Sequence, residues 1–379
     1  MSAPADLAER AALSLIAADA KLFRDLALDP RFESVRPVAA LALMPFLSAF
    51  VYESARYIQR TDAAVGTPHE DMLLASRMRV KLTEDKYRSS SEVLENAKEL
   101  SAVNSGWFLE GHRGLLGPLK RLIQTDLGLL FMEGEVVCTT HVAFLNLGLT
   151  RDALSAASLS LDNLGPHLRD TMTDVGEYVG LLLGRLGEAA DAPAGASEAQ
   201  LEPMQYRDVK SAGFYRSIAR RVAPGRDRVG ILLTQMLSQV NTACLLVPRV
   251  AGPHEAAAFK IRFVSLFQTA LGLQKLLEEE RECFLQGDAV EMVGEMLASA
   301  QVSDVLEDRR LRNALVHYGV GKRAARRLSS QLPLYGLVEA HVDGETLAGM
   351  ENKIQVGLDH LSRGLRDLLP QIPAPQGTL

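Results

Sequence analysis

The segment ETLAGMENKIQVGLDHLSRGLRDLL, residues 345–369, decides the fold class that this sequence predicts. Its apolar residues recur at steps of three and four, which is the spacing of one face of an α-helix. A continuous apolar seam of this length is typical of a helix packed in a bundle. The C-terminal part of the chain is therefore predicted to be a helical bundle. The seam consists of Leu347, Met350, Ile354, Leu358, Leu361, Leu365 and Leu368.

Helical patterns dominate the rest of the chain, so the predicted fold class is all-α. One segment departs from it: LLFMEGEVVCTTHV, residues 129–142, combines β-branched residues with a central glycine and indicates a hairpin. Residues 322–344 have the pattern of a loop. The other predicted helices cover residues 5–28, 36–59, 70–80, 91–100, 114–126, 164–186, 253–284 and 288–298.

One segment has the composition of a linker. Residues 187–203, GEAADAPAGASEAQLEP, are rich in Ala, Gly, Pro and Glu. A chain of 379 residues has room for two domains. We therefore predict a mainly helical N-terminal domain over residues 1–190, to which the sequence assigns no role, and a helical bundle domain over residues 204–370.

Composition predicts a globular cytoplasmic protein. The net charge of −6 argues against a surface dominated by attraction to nucleic acid, although it leaves room for local basic patches. The three cysteines are far apart in the sequence and fit buried thiols in a reducing compartment. The first residues, MSAPADLAER, lack the pattern of a signal peptide. The uncharged run at residues 38–52 is shorter than the ~20 residues of a membrane span, so we predict a buried helix there and no membrane association.

The chemically most informative stretch is LRNALVHYGV, residues 311–320. Arg312 and Asn313 stand five and four residues before His317. We predict a helix here that is capped by Ser303, has acidic residues in its first turn and ends at Gly319. Asn313 and His317 then lie one turn apart on the same helical face.

Two arginines compete for a role beside this histidine. Arg310 shares the helical face of His317 more closely than Arg312 does, whereas Arg312 directly precedes Asn313. A second Arg–His pair with the same spacing, Arg249 and His254, has Gly and Pro between its members and is predicted to have no fixed geometry.

The pattern Arg–Asn–x–x–x–His followed by an aromatic residue resembles the active-site signature of HEPN-domain ribonucleases, which belong to toxin–antitoxin and abortive-infection systems. The order of helices over residues 204–370 is also similar to a HEPN bundle. The resemblance implies a homodimer in which two motif helices face each other, and an effector of stress or antiviral defence restrained by an inhibitory or regulatory protein partner. Members controlled by a nucleotidyltransferase carry a tyrosine two residues after the histidine. Here Tyr318 follows His317 directly, so such control is not implied.

These residue types suit RNA cleavage without a metal ion or cofactor. RNA carries its own nucleophile, the 2′-hydroxyl group. Imidazole can transfer protons near neutral pH, and guanidinium matches two phosphate oxygens. We expect His317 to act as general base or acid, Arg312 to clamp the phosphate and Asn313 to orient the imidazole or the phosphate. The expected products carry 2′,3′-cyclic phosphate ends.

Basic residues near the motif are candidates for guiding the RNA substrate through its phosphates. The alternative for these residues is an ordinary solvated surface. They are Arg310, Lys322, Arg323, Arg326 and Arg327.

Two other functions fit the same sequence. The chain could be a HEPN-like dimerising module that binds RNA, a nucleotide or a protein partner without cleaving anything. It could also be a helical interaction protein in which the motif is coincidental, because a histidine at the end of an exposed helix is ordinarily a solvated residue.

Overall fold

The computed structural model shows a mainly helical protein with a small antiparallel sheet. It describes residues 4–61, 124–141, 161–188, 204–251, 254–278, 284–370 and 372–378. The predicted helices over residues 70–80 and 91–100, nearly all of the helix predicted over 114–126, and most of the predicted linker lie outside the described residues. The all-α prediction is corrected to a mainly α class, because the predicted hairpin is joined by two further strands.

The elements follow one another in a simple order. Short 3-10 turns lie at Pro30–Phe32 and Pro333–Gly336, and a π-helical turn, Thr242–Leu246, joins two helices. The helices are α1 Pro4–Leu28, α2 Arg36–Thr61, α3 Leu161–Arg185, α4 Ser211–Val222, α5 Asp227–Asn241, α6 Val247–Val250, α7 Glu255–Glu278, α8 Asp288–Ala298, α9 Ala300–Glu307, α10 Arg309–His317, α11 Lys322–Ala325, α12 Leu337–His341 and α13 Leu347–Leu368. The strands are β1 Leu127–Met132, β2 Glu135–Thr139, β3 Gln205–Val209 and β4 Gly377–Thr378.

The hairpin prediction is confirmed. Strands β1 and β2 pair antiparallel across a two-residue turn. Glu133 and Gly134 both have positive φ, 53° and 80°, as a tight turn matched to the twist of the strands requires. Strand β3 pairs with β1, and β4 pairs with β3, which gives the order β2-β1-β3-β4.

The seam that predicted the bundle forms the buried face of α13. Thr346 caps this helix, because its side chain accepts a hydrogen bond from the backbone N–H of Gly349 at 3.1 Å. Leu347 is partly buried and the six other seam residues are buried against α5, α7, α8 and α9. The C-terminal helical packing is thus as the sequence predicts.

The helices of the two predicted domains share one hydrophobic core. Ile16 of α1 and Phe50 of α2 belong to the same buried cluster as Phe263 of α7 and Leu358 of α13. Helix α1 packs on α7, α2 packs on α10, and β3 from the second predicted domain pairs with β1 from the first. The division at residues 190 and 204 stays a prediction, but the described parts on both sides of it are packed together.

Among the residues that the structure describes, three helical stretches are long and apolar enough to cross a membrane by length and composition. They are Arg36–Arg60, Asp227–Val250 and Glu255–Leu277. Between 67% and 78% of the most apolar window of each is buried within the fold. Most of the apolar residues in these three stretches therefore pack in the hydrophobic core. This holds also for the uncharged run at residues 38–52, which lies in α2.

Candidate active site

The motif helix is shorter than predicted, and its predicted cap is wrong. Ser303 lies inside α9, where its hydroxyl donates to the carbonyl of Ala300 at 3.2 Å. The helical path breaks at Asp308, whose backbone angles, φ −81° and ψ 42°, are not helical. A new helix, α10, then starts at Arg309, so the motif stands on its own short helix.

Helix α10 ends at His317 because the next residue, Tyr318, has a left-handed backbone conformation with φ 54°. A positive φ is costly for a large non-glycine residue and persists only where its surroundings hold it. Tyr318 ends the helix one residue before the predicted terminator, Gly319. Its side chain is fully buried, as are Leu311 and Leu315 beside it.

A buried polar cluster holds Tyr318 in place. The phenol donates to Oδ2 of Asp19 at 2.6 Å, and Nζ of Lys260 donates to the same carboxylate oxygen at 2.5 Å. Lys260 also donates to the phenol oxygen at 2.8 Å, and its Nζ lies 4.2 Å from the centre of the ring. Burial, reinforced by the charge of Asp19, raises the pKa of Tyr318 well above its ordinary range. This cluster ties the end of α10 to α1 and α7.

The imidazole of His317 is bonded on one side to a carboxylate from α2. Its Nδ1 lies 2.9 Å from Oε2 of Glu53. The side chain of Glu53 is 9% exposed, and that of His317 is 43% exposed. The carboxylate can therefore orient the ring from below while one edge of the ring stays accessible to a substrate.

The other ring nitrogen faces the motif arginine. Nε2 of His317 lies 3.4 Å from Nη1 of Arg312. Guanidinium only donates hydrogen bonds and the Glu53 carboxylate only accepts them. Both contacts are satisfied together by the neutral imidazole with its proton on Nδ1 and a lone pair on Nε2. This is the form that can accept a proton from a hydroxyl group.

The structure places Arg312, rather than Arg310, beside the histidine. Nη1 of Arg312 also donates to Oδ1 of Asn313 at 3.0 Å, and its guanidinium carbon lies 5.9 Å from the ring centre of Phe267. Arg310 is exposed. Among the described contacts, Asn313 meets Arg312 and not His317. Its predicted role in orienting the imidazole or the phosphate stays a prediction.

The predicted RNA-guiding residues lie at the surface, and one of them, Arg327, is also bonded to neighbouring residues. Lys322, Arg323 and Arg326 are exposed. Arg327 donates hydrogen bonds to the carbonyl of Glu339 at 2.6 Å and to the carboxylate of Asp343 at 2.5 Å. The carboxylate therefore partly neutralises its positive charge.

Two of these arginines influence the same histidine. Burial lowers the pKa of His341, its hydrogen bond to the carbonyl of Leu337 opposes this change, and the positive charges of Arg327 and Arg310 lower the pKa further.

Three residues that shape the site were missed from the sequence: Glu53, Asp19 and Lys260. A signal existed for Glu53, since it is the charged residue that ends the uncharged run of residues 38–52. A carboxylate at the end of such a run is predicted to be partly buried and hence to need a partner. Asp19 and Lys260 are single charges within helical patterns and give no comparable signal.

Comparison with known proteins adds no relative: no protein-family model, curated protein or solved structure matches this chain. Within the described ranges, no three His, Cys, Asp or Glu side chains come together as metal ligands.

Proposed function

We propose that this protein is a metal-independent endoribonuclease of the HEPN type, with Arg312, Asn313 and His317 as its catalytic residues. One observation supports the proposal above all others: the imidazole of His317 lies between the carboxylate of Glu53 and the guanidinium of Arg312. A half-exposed imidazole between a carboxylate and an arginine suits proton transfer next to a phosphate.

In the proposed reaction, Nε2 of His317 takes the proton of an RNA 2′-hydroxyl group. The 2′-oxygen then attacks the adjacent phosphorus, and the bond from phosphorus to the 5′-oxygen breaks. Glu53 stabilises the imidazolium that forms, because its carboxylate already bonds Nδ1. Arg312 turns from the imidazole to the phosphate oxygens and balances their charge.

The departing 5′-oxygen needs a proton from a second group. The resemblance assigns this step to the motif histidine of a second protomer, so we propose a homodimer in which two α10 helices face one RNA strand. The products are then a 2′,3′-cyclic phosphate end and a 5′-hydroxyl end. We further propose a cytoplasmic defence or stress effector that a protein partner keeps inactive, with Arg310, Lys322, Arg323 and Arg326 guiding the RNA.

The proposal is tested by RNA cleavage in EDTA with the purified full chain. His317→Ala and Arg312→Ala should each lower the rate by about 10²-fold or more, since positioned proton transfer contributes that much. Arg310→Ala is the matched control, because it removes an exposed arginine from the same helix. It should lower RNA binding slightly and leave the chemical step unchanged.

The ends of the products provide a second readout. Cyclic phosphate ends are expected, whereas 3′-hydroxyl ends would overturn the mechanism even if RNA is cut. Equal cleavage by all four proteins would indicate a contaminant. RNA binding by a dimer that cuts none of several RNAs, in the absence and presence of cell extract, would favour the non-catalytic binding module instead.

A further inference from the structure

A cleft of about 320 Å³ opens between α1, α7 and the turn at Pro333–Gly336. This volume falls within the range of small-molecule sites. Ala18 and Lys21 of α1 line the cleft, whereas the intervening Asp19 is buried against Tyr318. The cleft is thus separate from the His317 site, although both use helix α1.

The charge of the lining is unbalanced. Glu188 is neutralised by Lys21, whose Nζ lies 2.6 Å from Oε2 of the glutamate. Glu255 and Glu351 also line the cleft, and neither forms an ion pair with another described residue. Two carboxylates therefore face the cleft without a cation from the described part of the chain.

Part of the lining is apolar. Phe259, Leu334 and Leu347 line the cleft together with small alanines. Such walls suit a hydrocarbon body, and an aromatic ring can also attract a cation through its face. A bare metal ion would not use these walls.

The polar residue at the edge of these walls adds no positive charge. His254 is 8% exposed and lines the cleft, with its Nε2 at 2.9 Å from Oδ2 of Asp25. Burial lowers the pKa of this histidine, although the carboxylate of Asp25 opposes the change.

The turn that borders the cleft holds an unusual backbone. Leu334, Tyr335 and Gly336 have consecutive positive φ values of 51°, 57° and 68°. Two non-glycine residues in this conformation cost free energy, and such strain is concentrated at ligand clamps and functional loops. Leu334 of this turn lines the cleft.

We propose that this cleft binds a small aliphatic ammonium compound, with its hydrocarbon body against Phe259 and Leu347 and its charged ends at Glu255 and Glu351. The inference stands on the cleft alone and does not depend on the ribonuclease activity. A ligand with two ammonium groups balances the two unpaired carboxylates best.

The test is isothermal titration calorimetry of the full chain with 1,4-diaminobutane and with its neutral isostere 1,4-butanediol, at constant ionic strength. The diamine should bind and the diol should not. The double variant Glu255→Gln/Glu351→Gln should weaken binding by about 100-fold, tenfold for each lost charge-assisted contact.

The matched control is Glu291→Gln/Glu295→Gln, which makes the same change in net charge at exposed positions on α8. It should bind the diamine as the wild type does. Absence of diamine binding by the wild type at millimolar concentration, equal binding of the diol, or an equal loss in both double variants would each overturn the proposal. Circular dichroism of all variants shows whether the fold is kept.

Discussion

His317 and Glu53 form a hydrogen-bonded pair, with 2.9 Å between Nδ1 and Oε2, although they come from opposite ends of the chain. The histidine ends α10 and the carboxylate belongs to α2, in the segment that the sequence assigns to another domain. The proposed general base is therefore oriented by a helix outside residues 204–370. This gives part of residues 1–190 a role in the site.

The role of Glu53 as a positioning residue is tested by comparing two substitutions. Glu53→Gln keeps an oxygen that can accept from Nδ1 of His317 but loses the charge, so kcat should fall about tenfold. Glu53→Leu loses both and should lower kcat by about 10²-fold, with KM nearly unchanged in each variant. RNA cleavage measured over a range of RNA concentrations separates the change in kcat from the change in KM.

The control is Glu33→Gln, which changes a carboxylate at an exposed position. A rise in KM with unchanged kcat would contradict the role.

The buried cluster below Tyr318 should dominate local stability. Tyr318→Phe removes one hydrogen-bonding hydroxyl and should lower the free energy of unfolding by about 1–2 kcal/mol. Lys260→Met leaves Asp19 charged and buried without its cation, so the cost should be about 3–5 kcal/mol. Urea denaturation measures both. Adding Asp19→Asn to Lys260→Met should restore part of the loss. An equal cost for the two single variants would show that the ion pair matters no more than the phenol.

Asp308, at the break between α9 and α10, should make stability depend on pH. Burial raises the pKa of its carboxyl to about 6, against the opposing charge of Lys353. Between pH about 4, its ordinary value, and about 6, the folded chain keeps a proton that the unfolded chain releases. The free energy of unfolding therefore falls as pH rises through this window and is constant above it.

The variant Asp308→Asn should remove this dependence. At pH 7 it should be more stable than the wild type by about 1 kcal/mol, a modest value because the carboxyl is half-buried and screened by water. Below pH 4 the two proteins should be equally stable. Urea titrations across the range measure the difference, and a gap that is constant with pH would refute the assignment.

Helices α4 and α5 approach closely at Gly230, and this contact should not tolerate a side chain. A Cβ added there would lie 2.8 Å from the backbone carbonyl oxygen of Tyr215, which cannot move without shifting α4. Gly230→Ala should destabilise the fold by about 1–3 kcal/mol.

Gly176→Ala is the opposite case, because an added Cβ at that exposed position in α3 would meet no other atom. It should stabilise by about 0.5–1 kcal/mol. Thermal unfolding of both variants tests the contrast.

Local patterns predicted most of the described helices and the hairpin. The seam of α13 and the turn at Gly134 were correct because periodicity and turn chemistry act between near neighbours. The capping role of Ser303 was wrong, because the helical path is interrupted at Asp308 rather than begun at Ser303. Strand β3 was missed because it has no partner strand nearby in the sequence and pairs with the distant strands β1 and β4.

Spacing along the chain was enough to predict the long helix α13 with its buried face, and to place Arg312, Asn313 and His317 on one helix. It did not predict α4 and α5, and residues 322–344, for which it predicted a loop, contain α11 and α12. Only the tertiary structure decided that Arg312 rather than Arg310 meets the histidine, that Glu53 holds its other nitrogen and that Asp19 and Lys260 anchor Tyr318. The reason is physical: a contact between residues distant in the chain depends on how whole helices pack, and the spacing within one helix carries no record of it.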